Sequence, residues 1–156
     1  LNVDAVTMNH ALNMEMKSFG IFVGRRERWT CIKCGRCCYN NFTHDWIVPI
    51  VKQIGGKMIN NHCPVFDEET RTCTMYEQRP NICRAYPFAL TSVGKHRYML
   101  TRHALCAGFG HGERVDIRKE IERLVALHER EYGKRYIVDW EGFDETLTVT
   151  IKEATS

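Results

Sequence analysis

Cys31-Ile32-Lys33-Cys34-Gly35-Arg36-Cys37-Cys38 places four thiols within eight residues, and no other stretch restricts the fold and chemistry of this chain so strongly. Uncommitted thiols at that density oxidise readily, whereas two successive gaps of two residues let a tight loop turn three sulfurs toward one centre. Gly35 suits such a loop, because without a Cβ it takes positive φ and leaves its amide free to point at sulfur. Neighbouring side chains diverge, so Cys37 and Cys38 are not expected to chelate one ion together; they suit different metals of a cluster or two separate sites. The remaining cysteines, Cys63, Cys73, Cys83 and Cys106, are spread along the chain, and metal bound there would tie distant segments together. The plainer alternative for each of these four is a buried thiol acting as a small hydrophobe.

Whether thiols meet metal or pair as disulfides depends on compartment. The sequence opens Leu-Asn-Val-Asp-Ala, without the basic patch, apolar stretch and cleavage site of a secretory signal, so a cytoplasmic location is expected, where thiols stay reduced. Mostly apolar runs such as residues 46–51 fall far short of the ~20 residues a spanning helix needs, and no membrane insertion is expected. With 22 basic and 19 acidic residues, the charge singles out no partner and argues against nucleic acid as the ligand.

Thiolates suit zinc and iron–sulfur clusters alike. Zinc ribbons supply two cysteine pairs separated by a longer stretch, whereas Cys31, Cys34 and Cys37 offer three ligands from a single loop, as in bacterial ferredoxins. An iron–sulfur cluster is therefore expected, of the [4Fe–4S] type, one or two per chain, with zinc as the alternative. The expected ligands are Cys31, Cys34, Cys37, Cys38, Cys63, Cys73, Cys83 and Cys106.

The 156 residues, 44% hydrophobic, suffice for one α+β domain. In this reading residues 31–112 form the metal-binding region, and residues 113–156 back it with a helix and strands. Met8, Leu12 and Met16 suggest a short helix and residues 20–24 a strand. A helix is expected over residues 45–54, capped by Asp45, with Pro49 in its first turn and Gly55-Gly56 ending it. Polar loops at residues 67–71 and 92–96 predict two small hairpins. Ile117, Ile121, Leu124, Val125, His128 and Tyr132 recur on one face, which predicts an amphipathic helix over residues 116–132 stopped by Gly133. Two closing strands are expected at residues 136–138 and 146–151.

Arg79 and Arg84 flank the Cys83 segment and have two readings: donors that offset thiolate charge, or members of a capped turn with Arg79 packed on an aromatic ring. Pro80 and Pro87 bracket a helical turn that directs Cys83. Gly108-Phe109-Gly110-His111-Gly112 lacks the ending of a phosphate loop; it brings amides close to the Cys106 sulfur, or it serves as a flexible link. His44, His62, His103 and His111 lie near cysteines in sequence, and ordinary surface positions are expected for them; His128 is expected in the core. Arg25, Arg26 and Arg28 beside Trp29 read as a solvated strand edge rather than an RNA contact. No Ser/His/Asp or paired-carboxylate arrangement is legible.

Taken together, Cys31-x2-Cys34-Gly35-x-Cys37-Cys38, then Cys63-Pro64, then Cys73-x2-Tyr76-x2-Arg79-Pro80-x2-Cys83-Arg84-x-Tyr86-Pro87-Phe88, then Cys106-x-Gly108-x-Gly110-x-Gly112, resemble the CxxCxxCC cysteine-cluster family of zinc- or iron-chelating proteins, often labelled iron–sulfur oxidoreductases. The resemblance covers residues 31–112 and implies metal binding rather than a particular reaction. Domains of that family also occur fused to larger enzymes, including a flagellin lysine methylase, which implies that a cluster domain assists chemistry performed elsewhere. Electron transfer or cluster assistance to a protein redox or enzyme partner is therefore expected. The alternatives are a zinc-stabilised interaction module and an enzyme working at incompletely ligated iron. Folding is expected to depend on metal.

Overall fold

The computed structural model describes residues 20–155, so the helix expected around Met8, Leu12 and Met16 lies outside the described residues. The α+β class expected from sequence is observed. Its frame is a five-stranded antiparallel sheet. Strand β5 (Phe88–Gly94) and strand β6 (Arg97–Arg102) form the long hairpin, paired from Phe88 opposite Arg102 to Gly94 opposite Arg97. On its other edge β6 receives β9 (Thr148–Glu153) along Arg97 to Met99, and β1 (Ile21–Phe22) at Thr101 and Arg102. Strand β8 (Tyr136–Asp139) pairs with β9 and ends the sheet.

Helix α3 (Ile117–Tyr132) packs against the β5–β6 hairpin. Gly133 takes the left-handed conformation that closes the last turn, as the sequence suggests, and at the other end the Asp116 side chain accepts from the Lys119 amide. Ile117, Ile121, Leu124, Val125 and His128 are buried, and so is Leu127. Tyr132 departs from expectation: it is exposed at the helix end, stacked on His128 at 4.8 Å. A short helix, α4 (Phe143–Thr146), precedes β9 and moves the strand expected at residues 146–151 two residues along the chain. The core under α3 includes Phe88, Leu90, Tyr98, Leu100, Val149 and Ile151.

A second, smaller core gathers Ile47, Ile50, Val51, Cys63 and Phe66. Its helix, α1 (Asn40–Gln53), begins five residues before the expected Asp45 cap, so Pro49 lies inside the helix rather than in its first turn. An interior proline costs about 3 kcal/mol through its missing amide bond. Pro49 is exposed, and burial of Ile47, Ile50 and Val51 at roughly 1.5–3 kcal/mol each outweighs that cost. The helix ends where expected, at Gly55 with φ 76°.

The first expected hairpin forms in miniature: β3 (Phe66–Asp67) pairs with β4 (Thr72–Cys73), with Phe66 opposite Cys73. Beyond β4 the chain enters a 3-10 turn, Tyr76–Gln78. Pro80 precedes the one-turn helix α2 (Asn81–Ala85), which carries Cys83, as the bracketing prolines predict. Strand β7 (Phe109–Arg114) pairs with β2 (Arg28–Trp29), so the glycine run after Cys106 is a strand and not a flexible link. No described helix is long and apolar enough to cross a membrane.

Candidate metal centre

All eight cysteines are free thiols. Gly35, at φ 78°, opens a 3-10 turn, Arg36–Cys38, and its carbonyl accepts the Cys38 amide at 2.9 Å. This turn aims Cys37 and Cys38 at the smaller core. The Cys63 amide then donates to the Cys38 carbonyl at 2.7 Å, which fixes Cys63 beside the turn. Cys73 enters through the β3–β4 hairpin and Cys83 through α2. Helix α3 anchors α2 from behind: Arg123 Nη1 donates to the Arg84 carbonyl at 2.7 Å, and Asn81 Nδ2 donates to Glu131.

These elements enclose a cavity of about 460 Å³ whose lining includes Cys31, Cys37, Cys38, Cys63, Cys73 and Cys83. Ile47 and Ile50 of α1, with Ile54 at its C-terminal end, form an apolar wall, and Met75 adds a thioether. Among the described residues the lining carries the cations Lys33, Arg71 and Arg79 and no carboxylate. Cys34 and Cys106 stand outside this lining. Trp29 Nε1 donates to Cys106 Sγ at 3.4 Å, and the Gly108 amide also donates to that sulfur. There is no room at Gly108 for a side chain, since a Cβ would press on the Thr30 carbonyl and lie 2.7 Å from Trp29 Nε1. Among the described residues, no three His, Cys, Asp or Glu side chains close on one point as the ligands of a single ion would.

The thiols act on one another. The Cys38 thiol donates to Cys37, which lowers the Cys37 pKa against the effect of burial, and Arg79 assists. Giving that hydrogen bond raises Cys38 far above the ordinary thiol range, with burial and then Cys37, Cys63 and Cys73 adding to it. Burial pushes Cys83 up to about 12, reinforced by Cys37, Cys63 and Cys73 and opposed by Arg79. Burial likewise raises Cys63 and Cys106. Ionising several of these thiols together is unfavourable without a cation among them, and a bound metal supplies that cation.

The donor set fits a thiophilic metal. Thiolates in excess of a metal's charge leave a site net negative, and Lys33, Arg71 and Arg79 offset that charge.

Arg79 shows features of both readings. Its guanidinium stacks over the Tyr76 ring at 3.8 Å, its Nε donates to the Tyr76 carbonyl, and its charge reaches Cys37 and Cys83. Arg84 ties down the turn by donating to the carbonyls of Arg79 and Glu77. Two histidines expected at the surface are buried. His62 donates from Nδ1 to the Cys63 carbonyl at 2.7 Å between the rings of Tyr39 and Phe66. His103 accepts the Leu105 amide on Nδ1, and burial lowers its pKa to about 4. His111 is exposed, and the side chain of His44 lies outside the described residues. Sequence reading missed Trp29 as a partner of Cys106 and Arg71 as a donor to the carbonyls of Lys33 and Cys34. No spacing rule signals a side chain reaching across the fold. The apolar wall was missed too, and the helical spacing of Ile47, Ile50 and Ile54 was the signal for it.

The fold and the thiol-lined cavity define a cysteine-rich α+β metal-chelating domain. The family described as "CxxCxxCC: Putative zinc- or iron-chelating domain" matches residues 30–107, half of the chain, and the chain belongs to that family. Neither a curated protein nor a solved structure matches it.

Proposed function

We propose that this protein binds an iron–sulfur cluster through its cysteines and serves a partner protein by electron transfer or cluster assistance in a reducing, cytoplasmic compartment. The observation that carries this reading is the breadth of the thiol set. A tetrahedral zinc ion needs four sulfurs drawn to about 2.3 Å from one centre. Six thiols around a 460 Å³ cavity, with no three closing on a point among the described residues, better suit a group with several metal atoms. Such a cluster supplies one-electron chemistry when bound.

The chain's own residues hold and tune the group. The cavity cysteines are its ligands, Arg79 offsets thiolate charge at Cys37 and Cys83, and the isoleucines of α1 exclude water. Low water access and hydrogen bonds to sulfur are the levers by which a protein sets a cluster's potential. Arg84 acts through the turn that orients Cys83.

Purification without oxygen, followed by visible absorption with iron, zinc and sulfide analysis on one sample, tests the reading. A brown protein with matched iron and sulfide is expected. A colourless protein holding zinc without sulfide overturns it and leaves a zinc-stabilised interaction module.

A further inference from the structure

We propose that the β2–β7 ribbon and the turn before it form a docking surface for an acidic protein partner, which approaches the metal centre from the side of Cys106. This rests on the reading above that the protein serves a partner protein.

Arg25, Arg26 and Arg28, expected as a solvated strand edge, meet a fourth arginine here. The Glu27 amide donates to the Gly24 carbonyl at 3.2 Å, and this turn sets Arg25 and Arg26 at an exposed corner. Arg28 lies directly opposite Arg114 in the β2–β7 register, and both are exposed. Like charges placed opposite one another across a ladder repel. The carboxylate within the run does not relieve them, because Glu27 is committed to Arg102, 3.3 Å from its Nε. Among the described residues no carboxylate pairs with Arg25, Arg26, Arg28 or Arg114. The whole chain carries a net charge of +3, so four unpaired arginines on one ribbon account for its positive excess.

The chemistry of the face selects its occupant. A guanidinium fork pairs with a carboxylate through two parallel hydrogen bonds. Beside the arginines, Phe22 is exposed on β1 and joins Leu147, Arg25 and Arg26 in lining an open groove of about 670 Å³. Arginine next to an exposed aromatic ring is the composition of protein interfaces. A second copy of this chain would set arginines against arginines across a two-fold contact. A phosphate chain would run over Glu27 in the groove lining and needs a longer basic track.

The face also lies close to the thiols. Trp29 follows Arg28 on β2, and its Nε1 donates to Cys106 Sγ at 3.4 Å, so a partner held by Arg28 stands beside a cysteine segment. Small, charge-steered encounters of this kind let electron carriers meet and part quickly.

The test uses the metal-loaded full chain and titration calorimetry across a salt series. The probes are two acidic electron carriers, flavodoxin and plant-type ferredoxin, one basic carrier, cytochrome c, and a short oligothymidine. Both acidic carriers are expected to bind, with affinity falling as salt rises, and cytochrome c is not. Arg25→Glu with Arg26→Glu, and separately Arg28→Glu with Arg114→Glu, should each weaken that binding about tenfold or more. Lys95→Glu, exposed in the β5–β6 turn, should leave it near the parent value. Circular dichroism and metal content show whether each variant folds, and the turn pair carries the test if the ribbon pair does not. Failure of both acidic carriers to bind, equal binding of cytochrome c, or parental affinity in a folded variant overturns the proposal. Oligothymidine bound more tightly than either carrier and lost in the same variants overturns it in favour of nucleic acid. Zinc-loaded, sulfide-free protein that binds the acidic carriers through these arginines overturns the cluster reading alone, and brown protein that binds neither overturns the docking surface alone.

Discussion

Gly35 offers the sharpest check on how the thiol loop is held. Its φ of 78° lies in the left-handed region, and a Cβ there would meet Phe66 Cζ at 2.5 Å and Arg71 Nη2 at 3.3 Å. Gly55 has nearly the same φ, 76°, with nothing within 4 Å of its Cβ position. Alanine at Gly55 therefore meets only the backbone term. That term is about 1–2 kcal/mol, offset by the roughly 0.4–1 kcal/mol that alanine gains by restricting the unfolded chain. Alanine at Gly35 adds the displacement of the Phe66 ring, about 1–3 kcal/mol for an overpacked core. The net for Gly35→Ala is about 2–3 kcal/mol, and at ~2–4 °C per kcal/mol for a chain of this length Tm should fall by roughly 5–10 °C. Gly55→Ala should shift Tm by only a few degrees. Thermal unfolding of the metal-loaded variants, followed by circular dichroism, measures both. If Gly35→Ala costs no more than Gly55→Ala, the argument that Phe66 closes on this turn is wrong.

Three further outcomes are expected. Burial holds the folded-state pKa of His103 near 4 against an ordinary 6.5, so the unfolded chain takes up the proton first as pH falls; the stability present above pH 6.5 is lost between about 6.5 and 4. His103→Gln should flatten that part of the stability–pH curve, and equal slopes in variant and parent would refute the assignment. Trp29→Phe keeps the aromatic packing but removes the hydrogen bond to Cys106, for a loss of about 0.5–1.5 kcal/mol in urea unfolding; a loss well above that range would mean that the indole serves mainly as packing. Metal removal should strip hydrogen-exchange protection from α1 and α2 while β5, β6 and α3 stay protected, because the larger core contains none of the cavity cysteines. Uniform loss across the chain would instead support folding that depends on metal throughout.

The chemistry of this protein was written in its sequence. Four thiols in eight residues are local by covalent connection, and no fold can separate Cys31, Cys34, Cys37 and Cys38 by much. Helix α3 was legible for the same reason: its apolar repeat and the Gly133 stop are short-range signals. The start of α1 was not, because a proline that normally marks a first turn is carried inside the helix once Ile47, Ile50 and Val51 are buried. The burial of His62 and His103 and the reach of Trp29 to Cys106 depend on contacts between segments far apart in the chain. Residue spacing therefore determined that this protein gathers thiols for metal, whereas only the tertiary structure decided which thiols line a common cavity and which lie outside it. The reason is that pairings such as Trp29 with Phe109 and Phe66 with Cys73 arise from the packing of two cores, a long-range balance that no local pattern encodes.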